Sequence, residues 1–137
     1  MPNEKLLEIA KQKNIPMDEV DREHPHVLHA RVGALIAQEK FGIQDPDVLG
    51  GIRCHTLAEP NMSKVTMVVY LADATEPGRE RKKAAPIIKT FKHKGLEKAV
   101  LEAIEVKLLD VIDKGKVIHP LTIKARNWLI GQLNSAK

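Results

Sequence analysis

The sequence predicts an all-α fold. Apolar residues recur at three- and four-residue spacing in the long apolar stretches, and no alternating run is long enough to make a strand. The apolar content is also aliphatic: 43% of the 137 residues are apolar but only 3% are aromatic. One stretch organises the rest, Val65 to Arg79, reading VTMVVYLADATEPGR. Val65, Met67, Val68, Val69, Tyr70, Leu71 and Ala72 run almost without a break, and a helix apolar on every side is a buried one. Asp73 falls inside it. An ionised carboxylate in a core is costly unless a cation or a set of donors meets it, so Asp73 is expected to have a buried partner. Glu76-Pro77-Gly78-Arg79 then stops the helix and leaves a guanidinium at its mouth.

The other elements follow in order. Asn3 to Lys13 reads as an amphipathic helix with Leu6, Leu7, Ile9 and Ala10 inward, broken by Asn14-Ile15-Pro16. Met17 to Glu23 is a short helical piece, and His24-Pro25-His26 is a second breaker. From Val27 to Phe41, Leu28, Val32, Leu35 and Ile36 recur at helical spacing, and Gly42 closes the helix. Asp45 or Asp47 starts the next, through Val48, Leu49 and Ile52 to about His55. Thr56 to Met62 is loop, and Ser63 caps the central helix. After Arg79 comes a basic cluster, Arg79, Arg81, Lys82 and Lys83, then a weak apolar run around Pro86. Gly95 precedes a strong helix, Leu96 to about Lys114, with Val100, Leu101, Ile104, Leu108 and Ile112 on one face; Gly115 ends it. His119-Pro120 starts the last helix, Leu121 to about Asn134, with Ile123, Trp128, Leu129 and Leu133 packed.

Length and composition limit the choices further. A chain of 137 residues is expected to form one domain, 1–137, with a real core. The single Cys54 excludes an intrachain disulfide and fits a reducing, cytoplasmic setting. No opening signal peptide and no run of ~18 apolar residues are present, so no membrane partner is expected. The net charge of +4 is compatible with an anionic ligand and equally with solvated surface lysines.

Three residues could carry chemistry: His29, His55 and Asp73. Each lies in or at the end of a predicted helix with apolar neighbours, so a bundle can aim all three inward, and such a donor set suits a divalent transition metal. Each also has a plain structural reading, as a satisfied core histidine or a carboxylate bonded to backbone. His24 and His26 read as loop residues, His93 as solvated among lysines, and His119 as a residue near the start of the last helix.

The local sequences around these residues are LHARVGA at His29, IRCHT at His55 and YLADATEPGR at Asp73. With IHPLTIKARNWL near the C-terminus they cover nearly the whole chain, and in this order they resemble the HD-domain phosphohydrolases of the YqeK family, symmetrical dinucleoside-tetraphosphatases. The resemblance implies an HD-domain-like helical bundle. It also implies a pair of metal ions, usually iron, that activates water, and a substrate, diadenosine tetraphosphate, split into two ADP. His29 and His55 match the two middle histidine ligands and Asp73 the final, catalytic aspartate. Arg79 falls where the family places a basic residue near the substrate phosphates, with Thr56 and Lys64 in the same neighbourhood. A polyphosphate partner would give the basic cluster a purpose.

The chain departs from the family pattern in one respect: it contains no adjacent His-Asp pair. The resemblance therefore implies an N-terminally truncated domain that holds one metal ion or none, with little tetraphosphatase activity. Apolar surface left on Leu28, Val32 and Val68 is expected to drive self-association into a homodimer. The competing function is a non-catalytic, degenerate HD-domain module that binds nucleotides or partners. An RNA-associated role is disfavoured, because Phe41, Tyr70, Phe91 and Trp128 are the only aromatic residues and no nucleic-acid signature accompanies them.

Overall fold

A computed structural model describes residues 1–136. Among them lie eight α-helices and no strand: α1 (Asn3–Gln12), α2 (Glu19–Glu23), α3 (His29–Phe41), α4 (Pro46–Cys54), α5 (Lys64–Thr75), α6 (Arg81–Lys94), α7 (Leu96–Asp113) and α8 (Pro120–Ser135), with a 3-10 turn at Pro25–Leu28 before α3. The expected caps form. Ser63 Oγ accepts the Thr66 amide at 3.1 Å to start α5, and Asp45 accepts the Asp47 amide at 2.8 Å to start α4. Gly42 closes α3 in the left-handed region, φ 68°.

Two apolar clusters make the core. The larger is built on α7, whose Ala99, Val100, Ala103 and Ile104 pack against Met67, Tyr70 and Leu71 of α5, Ile87 of α6, and Ala125 and Leu129 of α8. The smaller joins Leu6 and Ala10 of α1 to Leu28 and Val32. Helices α4 and α5 lie very close: a Cβ on Gly50 would meet Thr66 Oγ1 at 2.6 Å, and one on Gly51 would meet Val69 Cγ2 at 3.2 Å. The glycine pair therefore lets the end of α4, which carries His55, lie against α5.

One polar network ties the N-terminal elements to the C-terminal helix. Asp21 is 1% exposed. Its carboxylate accepts from Arg31 Nη1 at 3.0 Å and also from Arg31 Nη2, from the Asp18 amide at 3.0 Å, and from His119 Nε2 at 2.8 Å. His119 Nδ1 accepts the Leu121 amide at 3.1 Å and so caps α8. Residues 98 apart in sequence thus share one buried carboxylate.

Several expectations are corrected. The central helix is not buried all round: Val65, Val68 and Val69 are 49%, 50% and 38% exposed. Its partners α4, α6 and α7 cover one side only, on which Thr66, Met67, Tyr70 and Leu71 are buried. Leu28 and Val32, expected to be exposed, are buried at 0% and 1% because α1 covers them. Ile112 and Ile123 face outward. Residues 27–41 are not one helix but the 3-10 turn followed by α3. The stretch around Pro86, which gave no helical reading, is the 14-residue α6. Proline removes the amide that would reach the Lys82 carbonyl, but Lys82 is exposed, so water can satisfy that oxygen while Ala84 and Ile87 pack on α7.

Burial raises the Asp21 carboxyl, but the hydrogen bonds from Arg31, Asp18 and His119 outweigh it and hold the group at about 2. A lowered carboxyl stabilises the fold above its unfolded value, 3.8, and that contribution fades as pH falls toward about 2. It is about 2 kcal/mol. Asp21→Asn is expected to cost about 3–5 kcal/mol at neutral pH, since it strands Arg31, and to flatten the acid limb below pH about 4. Urea unfolding across pH 2–7 checks this (about 2 to 7 spans both limits); an unchanged acid limb in the variant would contradict it.

Candidate metal centre

The 3-10 turn and the end of α4 set the geometry of two histidines. His29 opens α3, and its Nδ1 lies 2.7 Å from the His26 carbonyl oxygen. His55 follows the last turn of α4, and its Nδ1 lies 2.6 Å from the Ile52 carbonyl oxygen. A carbonyl only accepts, so each Nδ1 carries a proton, and in the neutral ring Nε2 is left with a lone pair. The two Nε2 atoms face each other at 3.3 Å, with the rings at 65°. Two lone pairs at that distance repel. The Thr56 hydroxyl, 3.1 Å from His29 Nε2, can donate to one of them only. A cation that accepts both lone pairs resolves the conflict, and a backbone carbonyl behind each ring is the usual support of a metal-ligating histidine. The donor set therefore fits a divalent metal.

Asp73 is placed differently from expectation. Its carboxylate is 41% exposed rather than buried, and Oδ2 accepts from Arg79 Nη2 at 3.2 Å. Arg79 Nε also donates to the Asp73 backbone oxygen at 3.1 Å. The partner of the acid is thus the guanidinium of the turn, because the last turn of α5 runs out beyond its covered face. Asp73 and His55 do line one cavity of about 320 Å³, together with Tyr70, Arg79, Lys83 and Lys107. His29 and Thr56 line a second cavity of about 500 Å³. The ligand atoms of His29, His55 and Asp73 do not all come within 4.8 Å of one another. Among the described residues only Asp18, Asp21 and His119 meet that distance; there Asp21 already accepts from Arg31, His119 Nδ1 accepts the Leu121 amide and Asp18 Oδ1 accepts the Asp21 amide. Lys64 is exposed at the start of α5 and lines neither cavity.

One residue of this region was not singled out by the sequence. Lys107 lines both cavities, and its ammonium donates to the Thr56 carbonyl. Burial pushes its amine below the usual lysine range, with Asp73 opposing and Arg79 adding to the shift. The signal was present: Lys107 stands three residues after Ile104 and four after Ala103, both buried, so it is a lone cation on the inward face of α7.

A family model for the HD domain matches residues 4–78. The chain belongs to the HD-domain family. It is 31% identical over 129 residues to a symmetrical bis(5'-nucleosyl)-tetraphosphatase of Bacillus subtilis, covering 94% of this chain and 68% of that one. It is 34% identical over 104 residues to the protein of that name from Halalkalibacterium halodurans, covering 76% and 55%. Among solved structures, an HD superfamily hydrolase from Clostridium acetobutylicum, described as involved in NAD metabolism, superposes with a TM-score of 0.87 at 38% identity, covering 96% of this chain and 69% of that one. The all-α, HD-type fold expected from the sequence is therefore found, and HD-domain membership implies divalent-metal binding.

Nitrogen-15 spectra of the imidazoles are expected to show both His29 and His55 as Nδ1–H tautomers, with both Nε2 signals moving when Zn²⁺ is added. An Nε2–H tautomer in either ring without metal would contradict the lone-pair geometry.

Proposed function

We propose that this chain holds a divalent cation between His29 and His55, with Asp73 as the third ligand and catalytic carboxylate once it turns from Arg79 toward the histidines, in a hydrolase that splits diadenosine tetraphosphate symmetrically into two ADP. The observation that carries the reading is the pair of imidazole lone pairs facing each other at 3.3 Å. The relatives named as symmetrical tetraphosphatases support the substrate, and the family resemblance supports iron. When bound, such a metal lowers the pKa of a water and polarises a phosphoryl oxygen.

The chain's own residues do the remaining work. The His26 and Ile52 carbonyls fix the two ring tautomers, so the imidazoles need not reorient to bind. Arg79, at the mouth of the cavity shared by His55 and Asp73, is placed to offset phosphate charge. Thr56 reaches the same neighbourhood through its hydroxyl. Lys64 would serve only a substrate extending beyond the two cavities. The exposed Val65, Val68 and Val69 face suits the homodimer expected from the sequence.

A second reading, a nucleotide-binding module without catalysis, is favoured by one observation: the chain contains no adjacent His-Asp pair. One assay separates the two. The purified 137-residue chain, supplied with iron or manganese, is expected to bind about one ion or fewer and to release ADP from diadenosine tetraphosphate slowly. His29→Ala and His55→Ala are each expected to abolish metal binding and that release. ADP release that ignores both substitutions would refute the hydrolase reading; nucleotide binding with no release at all supports the module.

A further inference from the structure

The basic cluster of the sequence divides in the fold. Arg79 and Lys83 line the charged cavity beside His55, where Arg79 is paired with Asp73 at 3.2 Å and Lys83 with Asp110 at 2.7 Å. Arg81 and Lys82 line neither of the cavities beside the histidines. They are exposed on the first turn of α6.

Helix α6, RKKAAPIIKTFKHK, carries six lysine and arginine residues and no acid in its 14 positions. It buries only Ala84 and Ile87. Lys82, Lys89 and Lys92 recur at i, i+7 and i+10 on the side away from that seam, with Arg81 beside them and only the small Ala85 and Pro86 between. All four cations are exposed. Among the described residues none of the four is in an ion pair; the α6 cation that is paired is Lys83. The result is a cationic crest that runs about 15 Å along the helix from Lys82 to Lys92.

Such a crest works against its own helix. Lys89 and Lys92, three residues apart, repel each other. Arg81 and Lys82 stand at the helix end where the backbone dipole disfavours cations. A polyanion laid along the axis relieves both. The crest has no aromatic side chain on which a nucleic-acid base could stack. The exposed apolar residues of α6, Ile88 and Phe91, stand to one side of it, so they would not enter a membrane that the crest faced. Phosphate charge repeated in a line, without bases or acyl chains, is the partner that fits.

We propose that the crest of Arg81, Lys82, Lys89 and Lys92 binds linear inorganic polyphosphate. The surface lies outside the cavities of the metal centre and needs neither the metal nor the nucleotide proposed above.

Calorimetry on the full chain, free of metal and with excess ADP present, tests this. Long-chain polyphosphate is expected to bind at least about tenfold more tightly than tripolyphosphate, because only a long chain passes all four cations, and to weaken as salt rises. Lys82→Gln/Lys89→Gln/Lys92→Gln is expected to weaken the long chain by at least about tenfold and to leave tripolyphosphate unchanged. The same three positions changed to arginine are expected to keep the binding. So is Lys5→Gln/Lys11→Gln/Lys40→Gln, which removes the same charge from exposed positions elsewhere; loss there would mean that net charge alone attracts the chain, and would overturn the crest. Four other results overturn it: glutamine substitutions without effect, tripolyphosphate bound as tightly as the long chain, a long chain displaced by ADP, or single-stranded RNA or phosphatidylglycerol vesicles bound more tightly than polyphosphate. Absence of ADP binding or hydrolysis would count against the nucleotide reading and leave the crest standing.

Discussion

Two backbone carbonyls set the geometry on which the proposed metal site depends. The His26 and Ile52 oxygens each take the Nδ1 proton of the histidine three residues on, and by doing so leave Nε2 as the only free atom of each ring. The fold then turns those atoms toward each other at 3.3 Å. Without a cation, this is an arrangement of two like dipoles; His29 and His55 would hold a metal ion through these two atoms. The carboxylate that shares His55's cavity and the three basic side chains of its walls set charge of both signs beside that pair.

What holds the histidines in register is packing and a second polar network some distance away. The Gly50-Gly51 pair lets α4 close on α5, which fixes His55. The 3-10 turn that supplies His26 is pinned from below by Leu28 in the small apolar cluster, and the Asp21 carboxylate ties α2 and α3 to the start of α8 through Arg31 and His119. A buried pair of this kind adds little net stability against an apolar replacement, but it fixes which helices meet. That network resembles a metal site by composition alone, with three carboxylate and imidazole groups within 4.8 Å. It differs from the His29–His55 pair in that its buried carboxylate, Asp21, is already met by a guanidinium and an imidazole.

Much of this was legible in the residues. The strongest helix, α7, followed from its apolar spacing and bounding glycines, and the starts of α4 and α5 from Asp45 and Ser63, whose side chains do cap them. The words around His29, His55 and Asp73 led to the HD family. Less was legible where a neighbour decides. The apolar run of α5 was read as buried on all sides, yet its valines face outward, because hydrophobicity alone does not say how many partners a helix has. Asp73 was read as a core acid, yet Arg79, six residues on, reaches back to it at the surface. The α6 helix was obscured by Pro86, whose lost hydrogen bond falls on the exposed side.

By itself, then, the sequence determined the helical class, the caps and the family, because each of these is written in spacing and local residue choice. The tertiary structure alone decided that the two Nε2 atoms meet and that Lys107, without an ion pair among the described residues, reaches the Thr56 carbonyl between two cavities. These are relations between residues 26 apart for the imidazoles and 51 apart for Lys107 and Thr56. Such distances are set by how helices pack, and no local pattern in the chain encodes them.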